Sequence, residues 1–117
     1  DDAFLTGLAP VLRHRGAEWN ELATALMGKA MADLDEVGAA SGDFLFYSGY
    51  LTLAYCWGRI AQSALRGDPQ DPYLQGKLAA AKFYFARLLP RADAHKTALE
   101  AGAETLMSAP VETFGPW

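Results

Sequence analysis

A chain of 117 residues amounts to one domain, long enough to take roughly two-thirds of its unfolded surface out of water. With 51% apolar and 21% charged residues, its composition excludes a disordered or fibrous chain. The net charge of −4 argues against nucleic acid as the principal partner, because a domain built to grip phosphates is usually basic.

A short first segment carries Phe4, Leu8 and Leu12 at spacings of four. Pro10 lies inside this stretch and Gly16 follows it, so a short or kinked helical segment is expected. A longer helix is predicted over residues 17–37. Trp19, Leu22, Leu26, Ala30, Leu34 and Val37 line one face of it, and Glu18, Glu21, Met31 and Asp35 lie on others. The run Gly38-Ala39-Ala40-Ser41-Gly42 is read as the break after it.

The next helix, over about residues 43–66, carries two apolar stripes. One is Phe44, Tyr47, Leu51, Ala54, Gly58, Ala61 and Leu65; the other is Phe46, Tyr50, Leu53, Trp57, Ile60 and Ala64. Only the seam Ser48, Thr52, Tyr55, Arg59, Gln62 and Arg66 is polar. A helix apolar over most of its circumference needs cover on two sides, either as the central helix or by packing on another chain.

Gly67-Asp68-Pro69-Gln70-Asp71-Pro72 reads as a stop and restart, with Gly67 at the C′ position, Asp71 as N-cap and Pro72 in the first turn. In the following helix Leu74, Leu78, Ala81, Phe85 and Leu88 form the expected buried stripe. Lys77, Tyr84, Arg87 and Arg91 share a neighbouring face. Pro90 kinks or ends this helix, and the pattern resumes through His95, Leu99, Gly102, Ala103 and Leu106 until Pro110. Beyond it Phe114 and Trp117 are expected to dock on something. The fold class is all-α: an antiparallel up-and-down helical bundle of three long helices plus a short N-terminal helical segment, the last helix kinked near Pro90. It forms one domain, residues 1–117, with its core at about residues 17–108.

Motifs for independent chemistry fail. The acidic run from Asp33 to Glu36 begins like a calcium loop, but Val37 and Phe44 stand where side-chain oxygens are required, so a solvated helix end is expected. Gly76-Lys77 lacks the glycine and hydroxyl of a phosphate loop, and Ser48-Gly49 lacks the first glycine of a nucleophile elbow. His14 and His95 have no partner at metal-ligand spacing, which favours surface or capping roles. Cys56, the only cysteine, excludes an intrachain disulfide, fits a reducing compartment and is expected to be an inert core thiol. The longest uncharged run, residues 44–58, has 15 residues against the ~20 of a membrane span, and no signal peptide precedes the helical pattern. The chain begins at Asp1 without methionine and reads as a piece of something longer. KFYFARLLPR, residues 82–91, mixes aromatics with cations as a single-strand groove would. Helical spacing places Phe85 in the core and Phe83 at a flank, leaving only Tyr84 with the cations.

Three stretches in register carry a resemblance: YLTLAYCWGR at residues 50–59, KLAAAKFYFARLLPR at residues 77–91 and EAGAETLM at residues 100–107. Together they resemble the extra C-terminal helical domain of a bacterial subgroup of the acyl-CoA dehydrogenase family, including the methylthiopropanoyl-CoA type. The similarity runs over residues 44–109, with a weaker match back to residue 17. It implies a fragment of a cytoplasmic FAD-dependent enzyme that oxidises an acyl-CoA thioester to the 2-enoyl form. A carboxylate would take the α-proton and the flavin the β-hydride, in a dehydrogenase core that lies outside this sequence. No catalytic, cofactor or metal residue carries over, and the fragment alone is not expected to be an enzyme. The expected role is packing, subunit assembly in a homo-oligomer and shielding of the acyl pocket. Tyr50, Trp57 and Ile60 would bury against the dehydrogenase core or a second subunit, with Tyr84 beside the cations; Arg59, Arg87 and Arg91 would pair with acidic groups there. The competing reading is a stand-alone helical interaction module without catalysis.

Overall fold

A computed structural model describes residues 2–116, apart from the side chain of Asp2. Among the described residues every regular element is helical: α1 (Asp2–Ala32), α2 (Asp35–Leu65), α3 (Pro72–Phe83), a π-helical turn (Tyr84–Leu88), α4 (Arg91–Glu100), α5 (Glu104–Met107) and a 3₁₀ turn (Val111–Phe114). The helices run up, down and up. Leu12 meets Gly58 and Glu18 meets Tyr47, so α1 and α2 are antiparallel. Tyr50 meets Tyr84 and Asp43 meets His95, which sets the third arm, α3 through the π turn to α4, antiparallel to α2. The twice-striped α2 is the central helix, between α1 and the third arm.

The core comprises Leu22, Ala40, Tyr47, Leu51, Ala54, Tyr84, Leu89, Ala92 and Leu99. Alanines at the helix crossings let the backbones approach while the two tyrosines fill the space between. Gly58 serves the same end, since a Cβ there would lie 3.2 Å from Leu12 Cδ1.

The segment before Gly16 is not separate: α1 continues through Pro10 and Gly16 as one helix of 31 residues. Proline removes the amide that would bond to Thr6, but Pro10 and Thr6 are both exposed, so water serves that carbonyl. Leu8, buried, and Leu12, packed on Gly58, hold the helix across the defect. The break expected at residues 38–42 lies instead at Asp33 and Leu34, where Asp33 Oδ1 accepts from the Asp35 amide at 2.9 Å and starts α2. The acidic run is thus a helix end, and Gly38 and Gly42 are ordinary helical positions with open space around them.

The restart follows the sequence closely. Asp71 Oδ1 accepts from the Tyr73 amide at 2.9 Å and Pro72 opens α3. Asp71→Ala is expected to cost about 1 kcal/mol in urea unfolding, the usual loss of an N-cap. A Cβ at Gly67 would run into Leu74 Cδ1, so a larger residue there makes the Leu74 side chain shift.

The bend at Pro90 is built from a π turn: the Leu89 amide bonds to the Tyr84 carbonyl, five residues back, at 2.9 Å. A proline ring collides with the carbonyl four residues earlier, and widening the preceding turn moves that carbonyl aside. The inserted residue shifts the buried register from Tyr84 to Leu89.

The molecule is a slab of 66 × 32 × 15 Å with a radius of gyration of 19.3 Å. A compact chain of 100 residues would have ~13 Å. Its accessible surface of 7937 Å² exceeds the ~6200 Å² expected of a compact 12.6 kDa monomer. Large apolar side chains exposed on that surface include Met27, Leu45, Phe46, Leu53 and Phe83.

Candidate interaction surface

Half-buried Tyr50, Trp57 and Ile60 share the flank of α2 that meets the third arm. Trp57 stacks on Tyr84 with ring centroids 6.3 Å apart, and Tyr50 accepts a 2.6 Å hydrogen bond from Tyr84 Oη through its carbonyl. Tyr84 itself is 2% exposed, which corrects its placement on the cationic face. The straight-helix spacing that put it beside Arg87 and Arg91 fails at the π turn. Buried under α2, Tyr84 cannot stack on a base, so residues 82–91 lose the one aromatic expected beside their cations. Half-buried Phe85 packs against the core as expected, and Phe83 is exposed at a flank.

Arg59 is exposed on another side of α2 and donates to Tyr55 Oη at 3.3 Å. Arg87 and Arg91 are exposed on the third arm. Among the described residues none of the three arginines has a carboxylate within ion-pair distance. The expected set therefore divides into an aromatic flank, a buried tyrosine and scattered cations.

Beyond the aromatic flank, the outward face of α2 is apolar and open. Phe46 is 58% and Leu53 50% exposed, with Leu45 beside them. The second stripe is thus half-covered at Tyr50, Trp57 and Ile60 and buried at Ala64, while Leu53 is open and Phe46 meets the third arm only through the His95 ring. Cys56 is exposed on this outward face, which corrects the expected core thiol. It stands opposite Tyr47 on the helix, so burying Tyr47 turns Cys56 to solvent.

Two polar constellations had no sequence signal. The first centres on Glu18, which was expected on a face away from the core stripe. Its Oε1 accepts from Tyr47 Oη at 2.5 Å and from Arg15 Nη1 at 3.0 Å, and Lys96 Nζ lies 3.8 Å from Oε2. Arg15 also donates to Asp93 at 2.6 Å, tying α1 to α4. Burial pushes the Glu18 carboxyl up, but the Tyr47 and Arg15 hydrogen bonds and the Arg15 and Lys96 charges outweigh it, leaving the pKa below its ordinary value. The Arg15 hydrogen bond likewise lowers that of Asp93. Tyr47 and Tyr84 are both pushed up, mainly by burial, Tyr84 to about 12.

In the second, His95 Nδ1 lies 2.9 Å from Asp43 Oδ1, and the imidazole stacks between Phe46 at 5.1 Å and Tyr50 at 5.8 Å. His95 is therefore a half-buried link between α4 and α2 rather than a surface group. These networks fasten helices. Among the described residues no three His, Cys, Asp or Glu side chains converge as a metal site, and no helix is long and apolar enough to cross a membrane.

The expected docking of Phe114 is not seen, since its side chain is exposed, and Trp117 lies outside the described residues.

Compared with known proteins, residues 1–110 match the family model described as "Acetyl-CoA dehydrogenase C-terminal like". No curated protein and no solved structure matches the chain.

Proposed function

This chain belongs to the acetyl-CoA dehydrogenase C-terminal-like family, and on that premise we propose that it is the accessory helical domain of a FAD-dependent acyl-CoA dehydrogenase that packs through the outward face of α2. The family match over residues 1–110 is the observation that carries the reading. The open apolar face of α2 supports the role. Its Phe46 and Leu53 are exposed beside half-buried Ile60, and the chain carries roughly 1700 Å² of surface beyond that of a compact monomer. A standard interface takes ~800 Å² from each partner. The face would lie on the dehydrogenase core or on a second subunit of the same enzyme, adding to assembly and screening the acyl pocket.

The hollows along this chain, of about 220 to 500 Å³, open to solvent, whereas cofactor sites enclose most of the ligand, so this chain by itself does not enclose a flavin. Hydride transfer and removal of the α-proton belong to the rest of the parent enzyme. The methylthiopropanoyl-CoA type remains the subgroup that the sequence resembles.

Leu53→Asp combined with Leu45→Asp, made in the full-length enzyme, tests the role. Neither side chain belongs to the buried core, so the isolated domain is expected to keep its thermal midpoint. The holoenzyme is expected to lose subunit assembly or to melt earlier, with acyl-CoA oxidation reduced in step. Unchanged assembly, melting and activity would remove α2 as the docking face.

A further inference from the structure

Once the outward face of α2 has been given a role, an apolar groove and an apolar tail remain. The groove follows the seam between α1 and α2 as two adjoining hollows of about 220 and 310 Å³ that share Leu12 and Tyr55. Gly58 lines the first and Gly16 and Ala54 the second, so small side chains keep the groove deep. Arg59 stands at its rim, and no carboxylate of the described residues is within ion-pair distance.

The tail has the complementary character. After Ala103, which is buried, Leu106, Met107, Val111 and Phe114 are all exposed. Its only charged residues are Glu104 and Glu112, and no lysine or arginine follows Lys96. In the 3₁₀ turn Val111–Phe114 a repeat of three residues brings Val111 and Phe114 to one side, with Glu112 next to them. Two apolar knobs and a carboxylate thus match two hollows and a cation.

The two features lie at opposite ends of the slab. The tail leaves the bundle beside Glu36, whose Oε1 accepts from the Ala103 amide at 3.4 Å just after the α1–α2 turn. The groove occupies the first part of α1, from Leu5 to Trp19. The twenty helical steps from Leu12 to Ala32 span ~30 Å.

We propose that the tail of a second copy of this chain fills the groove, Val111 and Phe114 entering the hollows and Glu112 pairing with Arg59. The exchange is reciprocal about a two-fold axis, which closes the assembly and keeps it from growing as a filament. The excess surface is sufficient for both this contact and the outward face of α2, because two standard patches need ~1600 Å² from one protomer. The proposal uses only this chain's own surfaces and is independent of its place in a dehydrogenase.

Sedimentation velocity of the purified 117-residue chain across micromolar concentrations tests it. The native chain is expected to dimerise. A chain ending at Ala103 is expected to be monomeric, and so is Gly16→Leu. A Cβ at Gly16 meets nothing within 4 Å, so the backbone has room for a side chain to start into the groove, and circular dichroism of Gly16→Leu is expected to stay native. Arg59→Glu is expected to lose the dimer and to regain it when combined with Glu112→Arg. A native chain that is monomeric throughout would overturn the proposal, as would a dimer that survives removal of residues 104–117 or the Gly16→Leu change.

Discussion

Tyr84→Ala is expected to lower the unfolding free energy by about 3–5 kcal/mol, the cost of removing a buried aromatic from a core that cannot close over the space. Tyr84 is 2% exposed, stacks on Trp57, meets Phe85 edge-on at 5.8 Å and donates to the Tyr50 carbonyl. It also begins the π turn, so its loss removes the packing that holds the wide turn against α2. Tyr84→Phe separates the two contributions. The ring remains, the Tyr50 carbonyl keeps its place in the α2 ladder, and the change is expected to cost only about 1 kcal/mol, one ordinary hydrogen bond. Equilibrium urea unfolding of both variants reads the difference. Equal losses would show that the hydroxyl, not the ring, anchors the third arm.

The next largest effect is expected at Glu18. Glu18→Ala leaves Tyr47 Oη without its acceptor inside a fully buried residue and removes one of the two carboxylates that Arg15 binds. An unmet buried hydroxyl costs about 1–3 kcal/mol, so the variant is expected to lose at least that much. The same carboxyl makes stability depend on pH. The folded pKa values of Glu18 and Asp93 are both lowered, so the folded state binds fewer protons than the unfolded chain where these groups titrate. Their contribution is fully present above the unfolded values of about 4 and is lost as pH falls through the lower folded ones. Asp93 is well exposed and its share is screened by solvent, so Glu18 sets most of the slope. Thermal midpoints are therefore expected to hold near neutral pH and to drop steadily below about pH 4. Glu18→Gln is expected to start lower and fall less steeply. A native-like acid slope in that variant would remove Glu18 as its source.

Apolar spacing and turn chemistry made the all-α class, the antiparallel order, the Asp71-Pro72 restart and the bend at Pro90 legible; they showed that α2 needs cover on two sides but left open whether as the central helix or against another chain. The family was also legible, in three stretches holding register over most of the chain. Other elements were decided by context. Pro10 and Gly16 weaken a helix in isolation, yet Leu8 and Leu12 packed on α2 carry α1 through both. The glycines after Val37 look like a break, but a single Asp33 hydrogen bond starts the next helix earlier.

The sequence by itself determined which residues are apolar and at what period, and from that the helices, their order and the excess of apolar surface on α2. Only the tertiary structure decided which of those surfaces is covered. A helical wheel assumes one repeat along a segment, and the π turn at Tyr84 changes it by a residue, moving a tyrosine from a cationic face into the core. Glu18 likewise owes its burial to Tyr47, 29 positions away, and His95 its stacking to Phe46 and Tyr50 on another helix. Such contacts depend on how helices are rotated against one another, and that rotation is fixed by side-chain volumes meeting across the interface.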